Sequence, residues 1–111
     1  MTSTRQDKVG RELQRDLGEI LQQEQGLFPG VMLTVTSVRV SPDLGVAKIY
    51  LSFFPSKDKE ASLKAVRTRT KQIRYELGKR VKNQLRIVPA LTFFIDDSLD
   101  YIENIENLLK Q

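Results

Sequence analysis

Between residues 63 and 86 two rows of side chains run out of phase by one position. Leu63, Val66, Thr70, Ile73, Leu77 and Val81 recur at the three-and-four spacing of a buried helix face, and beside them stand Lys64, Arg67, Lys71, Arg74 and Lys82. A helix that docks the first row presents the second as a ridge of cations along the rim of the contact. The chemistry of such a ridge is capture of a polyanion through its phosphates. The stretch 64–86 holds nine Lys or Arg against one acid, Glu76, in a chain whose net charge is only +4. A face that serves solubility alone mixes both signs, so this imbalance favours a binding surface.

Catalysis has little to work with. Cysteine and histidine are absent, which removes disulfides, thiolate nucleophiles, the usual zinc ligands and the common neutral-pH acid or base. No catalytic spacing of carboxylates, lysines, serines or tyrosines takes their place. Asp96 and Asp97 lack the further ligands a divalent cation needs, and one of them suits the cap of a following helix. The expectation is a protein without enzymatic activity, cofactor, metal or small-molecule substrate.

The elements that position the basic row follow from periodicity. Val9, Leu13, Leu17, Ile20 and Leu21 predict a first helix from about residue 4 to 24, capped by Ser3 or Thr4 and ended by Gly26. Val31 to Val40 alternates as a strand whose apolar phase shifts at Ser37, a sign of a bulge. Ser41-Pro42-Asp43-Leu44-Gly45 is turn chemistry in which Gly45 permits a positive φ. Val46 to Phe54 alternates again, with Ala47, Ile49, Leu51 and Phe53 on one face and Lys48, Tyr50 and Ser52 on the other, so the two strands read as a hairpin with one covered face. A helix opens near Lys57 or Asp58 and reaches roughly Leu85. Pro89 ends it, and Leu91, Phe93 and Ile95 alternate with Thr92 and Phe94 as a third strand. Asp97 or Ser98 caps a last helix with Leu99, Ile102, Ile105 and Leu109 inward.

Residues 1–111 thus read as one domain, with no repeat, linker or membrane span. The polar start from Met1 to Arg15 lacks the apolar core of a secretory signal, which places the chain in the cytoplasm. Helix, strand, strand, long helix, strand, helix is an α+β order: a three-stranded mixed sheet with helices on one face. It matches a type II KH domain, a nucleic-acid module.

Three blocks carry a closer likeness. They are Val35 to Leu44 followed by Ala47-Lys48-Ile49-Tyr50; Ile73-Arg74-Tyr75-Glu76-Leu77-Gly78-Lys79-Arg80; and Leu91-Thr92-Phe93-Phe94-Ile95-Asp96-Asp97-Ser98-Leu99. In this order they resemble the ribosome-binding factor A family across almost the whole chain. The resemblance implies a KH-like factor that binds the immature 30S subunit and assists late processing and folding of 16S rRNA, with a part in cold adaptation. That family usually kinks its long helix at Ala-x-Gly. Counting back from Ile73 the kink falls on Arg69-Thr70-Lys71, which has neither residue, so three outcomes stand open: a kink there, one near Gly78, or none. The stretch from Gly78 to Pro89 also looks about two residues longer than the family's. The RNA grip is then expected from side-chain cations rather than a glycine-bearing backbone loop.

The expected RNA contacts are Lys64, Arg67, Lys71, Arg74, Lys79, Arg80, Lys82 and Arg86. Arg5, Lys8, Arg11 and Arg15 come second, since Asp7, Glu12, Asp16, Glu19 and Glu24 are interleaved with them and favour ion pairs within the helix equally well. Lys48 and Tyr50 offer a cation and a stacking ring, although a strand tyrosine serves sheet packing more often. Nothing resembles a dimer seam, and a monomer is expected. Two rival readings remain: a generic single-strand nucleic-acid KH module, and a protein-interaction adaptor using the acidic last helix with Asp100, Glu103 and Glu106.

Overall fold

The computed structural model describes residues 4–23, 31–54 and 58–96. Helix α1 spans Thr4–Gln23, strands β1 and β2 span Met32–Val40 and Val46–Phe54, helices α2 and α3 span Lys59–Thr68 and Thr70–Val81, and strand β3 spans Ala90–Ile95. Thr4 lies within α1 as its first residue. The expected cap Ser3, the helix stop at Gly26 and the last helix on Leu99 to Leu109 lie outside the described residues.

The sheet runs β1-β2-β3, with β1 antiparallel and β3 parallel to β2. Alternation along the strands turns Leu33, Val35, Ala47, Ile49, Leu51, Phe53, Leu91 and Phe93 to one side, where they join Leu13, Leu17, Ile20, Leu63, Val66, Ile73, Leu77 and Val81 of the helices in one buried cluster. Each large side chain sealed there stabilises the fold by about 1.5–3 kcal/mol relative to exposure. This is the mixed sheet with helices on one face that the element order predicts.

The bulge falls at Thr36, where the β1–β2 register shifts between Val35 and Ser37. Its hydroxyl lies 3.2 Å from the Tyr50 carbonyl and 2.6 Å from Asp96 Oδ2, tying the bulge to the end of β3. In the hairpin turn the expectation for Gly45 is not met. The positive φ, 60°, belongs to Leu44, because the Asp43 carboxylate takes hydrogen bonds from the Ser41 hydroxyl at 2.6 Å and the Gly45 N–H at 3.0 Å and so fixes the backbone on either side. Those two bonds, the hydroxyl's first, hold the Asp43 carboxyl below its ordinary pKa. The glycine is needed for room instead: a Cβ there would lie 3.3 Å from that carboxylate.

The long helix is two helices. Arg69 leaves helical geometry at φ −101° and ψ 8°, and no glycine is involved. Its N–H bonds the Val66 carbonyl at 2.9 Å, one residue short of the helical partner, and its own carbonyl accepts the Ile73 N–H at 2.9 Å to start α3. The flanking threonines occupy nearby carbonyls with their hydroxyls, Thr68 to Ala65 at 2.7 Å and Thr70 to Arg67 at 2.8 Å, a local bond that bends helices. Of the three outcomes open for the kink, the first is therefore the one observed. Helix α3 continues through Gly78, where a Cβ would stand 3.2 Å from Val88 Cγ2. It stops at Val81, short of the expected Leu85, since the chain must reverse within a few residues to bring Ala90 beside Val46. Lys82 and Arg86 consequently sit in the turn after α3 and not on its basic row.

Helix α1 covers the free edge of β1. Gln14 Nε2 donates to the Val35 and Thr36 carbonyls, each at 3.3 Å, and Gln6 Nε2 donates to the Val40 carbonyl at 2.9 Å, which occupies acceptors that an edge strand otherwise offers to another chain. Gly10 permits this approach: a Cβ on it would lie 3.1 Å from the Val38 carbonyl, whereas one on Gly18 would meet nothing within 4 Å. Urea unfolding of two alanine variants checks the packing. Gly18→Ala gains about 0.5–1 kcal/mol from helix propensity, and Gly10→Ala loses that gain or falls below the parent protein; equal gains at both sites contradict the close approach.

Candidate nucleic-acid interface

The break at Arg69 splits the basic row between two helices with different neighbours. Helix α2 packs on β3, while α3 packs chiefly on α1. Lys64 and Arg67 therefore ride over β3, and Lys71 and Arg74 begin the helix that leads away from it.

Four arginines and lysines of the predicted row are committed to partners within the fold. Arg67 donates to the Phe93 carbonyl at 2.8 Å. Arg74 forks onto two consecutive carbonyls, Nε to Pro89 at 3.1 Å and Nη2 to Val88 at 2.7 Å, and so anchors the entry of β3. Arg80 pairs with Glu19 of α1. Lys79 pairs with Glu76 at 3.3 Å and lies 5.1 Å from the centre of the Tyr75 ring. A carbonyl is a neutral partner, so the guanidinium groups bound to carbonyls still add to the field of the surface while their direct reach to a ligand is reduced. Lys64, Lys71, Lys82 and Arg86 are exposed.

Lys71, Arg74, Tyr75, Gly78 and Val88 line one cleft of about 390 Å³ between α3 and the approach to β3. Tyr75 is 66% exposed. In the sequence it stands only as part of the second family-like block, although an aromatic at the polar edge of a helix, between Arg74 and Glu76, is a usable signal. The cleft offers a phosphate the Lys71 ammonium and the fixed charge of Arg74, and a base or ribose the face of Tyr75 that Lys79 leaves open, which is the composition of a single-strand groove. Gly78 keeps its floor low.

The secondary basic row divides. Arg5 and Lys8 line a cavity of about 370 Å³ with Gln84 and Leu85, next to the turn that carries Lys82. Arg11 and Arg15 lie along β1 instead, and Arg15 is engaged with Glu12 at 2.9 Å. These four cations thus face two clefts and not one ridge. Between the helices, Asp16 is buried, and that burial more than its neighbours raises its pKa against the opposing pull of Arg15 and Arg80. Lys48 and Tyr50 lie on the far side of the sheet, away from the α2–α3 cleft. Among the described residues no three carboxylates, histidines or cysteines gather as a metal site, and no helix is long and apolar enough to cross a membrane.

A family model described as "Ribosome-binding factor A" matches residues 5–109. The chain is similar to ribosome-binding factor A of Cytophaga hutchinsonii, 41% identical over 112 residues that span 100% of this chain and 84% of the relative. It is likewise similar to that of Christiangramia forsetii, 44% identical over 97% of this chain and 84% of the relative. Among solved structures, the crystal structure of ribosome-binding factor A from Thermus thermophilus superposes with a TM-score of 0.70 at 29% identity, over 81% of this chain and 94% of that one. A homology model of the Thermus thermophilus factor, fitted into a cryo-EM map of its 30S complex, superposes with a TM-score of 0.68 at 28% identity, over 79% and 91% of the two chains.

The fork made by Arg74 has a measurable consequence. Arg74→Ala removes one part-buried and one exposed hydrogen bond and costs about 0.5–1.5 kcal/mol in urea unfolding. Arg74→Lys recovers little of it, because an ammonium on a flexible stem does not reproduce the two-pronged geometry. Lys71→Ala stays within about 0.5 kcal/mol of the parent. An Arg74→Ala protein as stable as the parent refutes the anchoring role.

Proposed function

This chain belongs to the ribosome-binding factor A family, and we propose that it binds the free or immature 30S subunit and assists late maturation of 16S rRNA. Residues 1–111 act in this reading as one RNA-binding domain, without catalysis and without a cofactor. The observation that carries it is the cleft lined by Lys71, Arg74 and Tyr75 beside a break made without glycine. A KH domain usually grips the phosphate backbone with main-chain N–H groups of a glycine loop. Here the bend is built from Thr68, Arg69 and Thr70, so the grip falls to side chains on either side of it.

Cation capture of this kind holds an rRNA segment by its backbone and by shape, with little demand on base identity. It suits a factor that keeps an rRNA segment in an immature arrangement until a partner releases it. Lys64, Lys71 and Lys82 are the contacts, being exposed and able to follow a phosphate on flexible stems. Arg67, Arg74 and Arg80 shape the surface and raise its potential from fixed positions.

Binding of the triple variant Lys64→Gln/Lys71→Gln/Lys82→Gln to purified small subunits, measured at several salt concentrations, tests the assignment. The expected result is weaker binding at low salt, with the slope of log affinity against log salt smaller by about 2–3, as three lost phosphate contacts require. Parent and variant with equal slopes and affinities overturn the surface.

A further inference from the structure

The sheet face turned away from the helices carries its own arrangement. Alternation along β2 puts Lys48, Tyr50 and Ser52 there, and the register sets Arg39 opposite Lys48, and Tyr50 opposite Phe94. The Tyr50 and Phe94 rings stack with centroids 5.5 Å apart and planes inclined by 26°. That separation is close to the spacing of about 4.8 Å between neighbouring strands, so the rings stand side by side on edge across the sheet. The Arg39 guanidinium lies 6.0 Å from the Tyr50 ring centre on the β1 side. Guanidinium, phenol and phenyl thus form one row crossing all three strands. Beside it a cavity of about 250 Å³ is lined by Arg39, Ser41, Lys48 and Tyr50 among others.

We propose that this face is a second RNA-contact surface, a platform for a single-stranded segment, with bases laid face-on against the outward ring edges of the Phe94–Tyr50 row and phosphates on Arg39 and Lys48. The proposal rests on the reading that the chain binds rRNA and adds where and how an unpaired stretch is held. Two cations flank the rings, and among the described residues the nearby carboxylates Asp96 and Asp43 are hydrogen-bonded to the Thr36 hydroxyl and to Ser41 and Gly45 rather than paired with those cations. A polyanion with exposed π-faces is the partner that complements both features at once, and only unpaired nucleotides expose those faces. The exposed apolar residues Met32 and Phe54 stand at the far end of the hairpin from the cavity and do not complete a protein-docking patch around it.

Fluorescein-labelled decauridylate and purified small subunits serve as probes for the full chain. Tyr50→Leu/Phe94→Leu keeps the face apolar and is expected to raise the Kd for decauridylate by roughly 2- to 13-fold, the range for one edge-to-face aromatic contact. Tyr50→Phe retains the ring and the affinity. Arg39→Gln/Lys48→Gln, which touches no buried residue, weakens binding and lowers the salt slope even if the leucine variant fails to fold. Unchanged affinity in a folded leucine variant, or in the glutamine variant, overturns the platform. If Lys64→Gln/Lys71→Gln/Lys82→Gln loses the subunit while both sheet variants keep it, the helical surface stands and the platform falls. If the parent protein holds decauridylate through these rings but no small subunit, the platform stands and the ribosomal reading falls.

Discussion

A strand that returns parallel to its predecessor must be delivered by a crossover, and in this fold the crossover has to serve two neighbours. Leu63 and Val66 must reach the sheet at β3, while Ile73, Leu77 and Val81 must meet the same core beside α1. A straight helix over residues 59–81 would run about 34 Å, well beyond the six residues of β3, about 20 Å long. The bend at Arg69 resolves this, and much else depends on it. It sets α2 over β3, turns α3 toward α1, and brings Arg74 within reach of the Val88 and Pro89 carbonyls, which fixes where β3 begins.

The same constraint sorts the cations. Arginines at 67, 74 and 80 have their guanidinium groups locked onto carbonyls or a carboxylate, the work for which a planar fork is suited. Lysines at 64, 71 and 82 remain exposed. The basic row is thus two interleaved sets, one tied into the fold and one exposed without a hydrogen-bond partner among the described residues, and counting charges along it overstates what is free to meet a ligand. Tyr75 restores part of what that sorting removes, since it adds an open ring to the cleft that Lys71 and Arg74 share.

Much of this was legible in the chain. Alternation in Val46 to Phe54 gave β2 and the sidedness of Lys48 and Tyr50, the phase shift near Ser37 marked the bulge now seen at Thr36, and the period of Leu13, Leu17 and Ile20 gave α1. The end of α3 was hidden because Leu85 continues the apolar period past the last helical turn at Val81, and periodicity cannot show that the chain must reverse for β3. Counting back from Ile73 lands on the bend, but no glycine marks it there, because Thr68 and Thr70 make it with hydroxyls whose acceptors are three residues back. The roles of Arg67 and Arg74 were invisible for a different reason. Their partners are main-chain carbonyls 14 to 26 residues away, and a carbonyl carries no residue-type signal.

The contact to be tested is the one between rRNA and the cleft beside the Arg69 bend. Photo-cross-linking tests it most directly, with p-benzoylphenylalanine at position 75 in the cleft and, as a comparison, at position 32 at the end of the hairpin far from the Ser41–Gly45 turn, each bound to small subunits before irradiation. Cross-links to 16S rRNA are expected from position 75 and few or none from position 32. Cross-links to rRNA from position 32 alone, or from position 75 to ribosomal protein alone, contradict the contact.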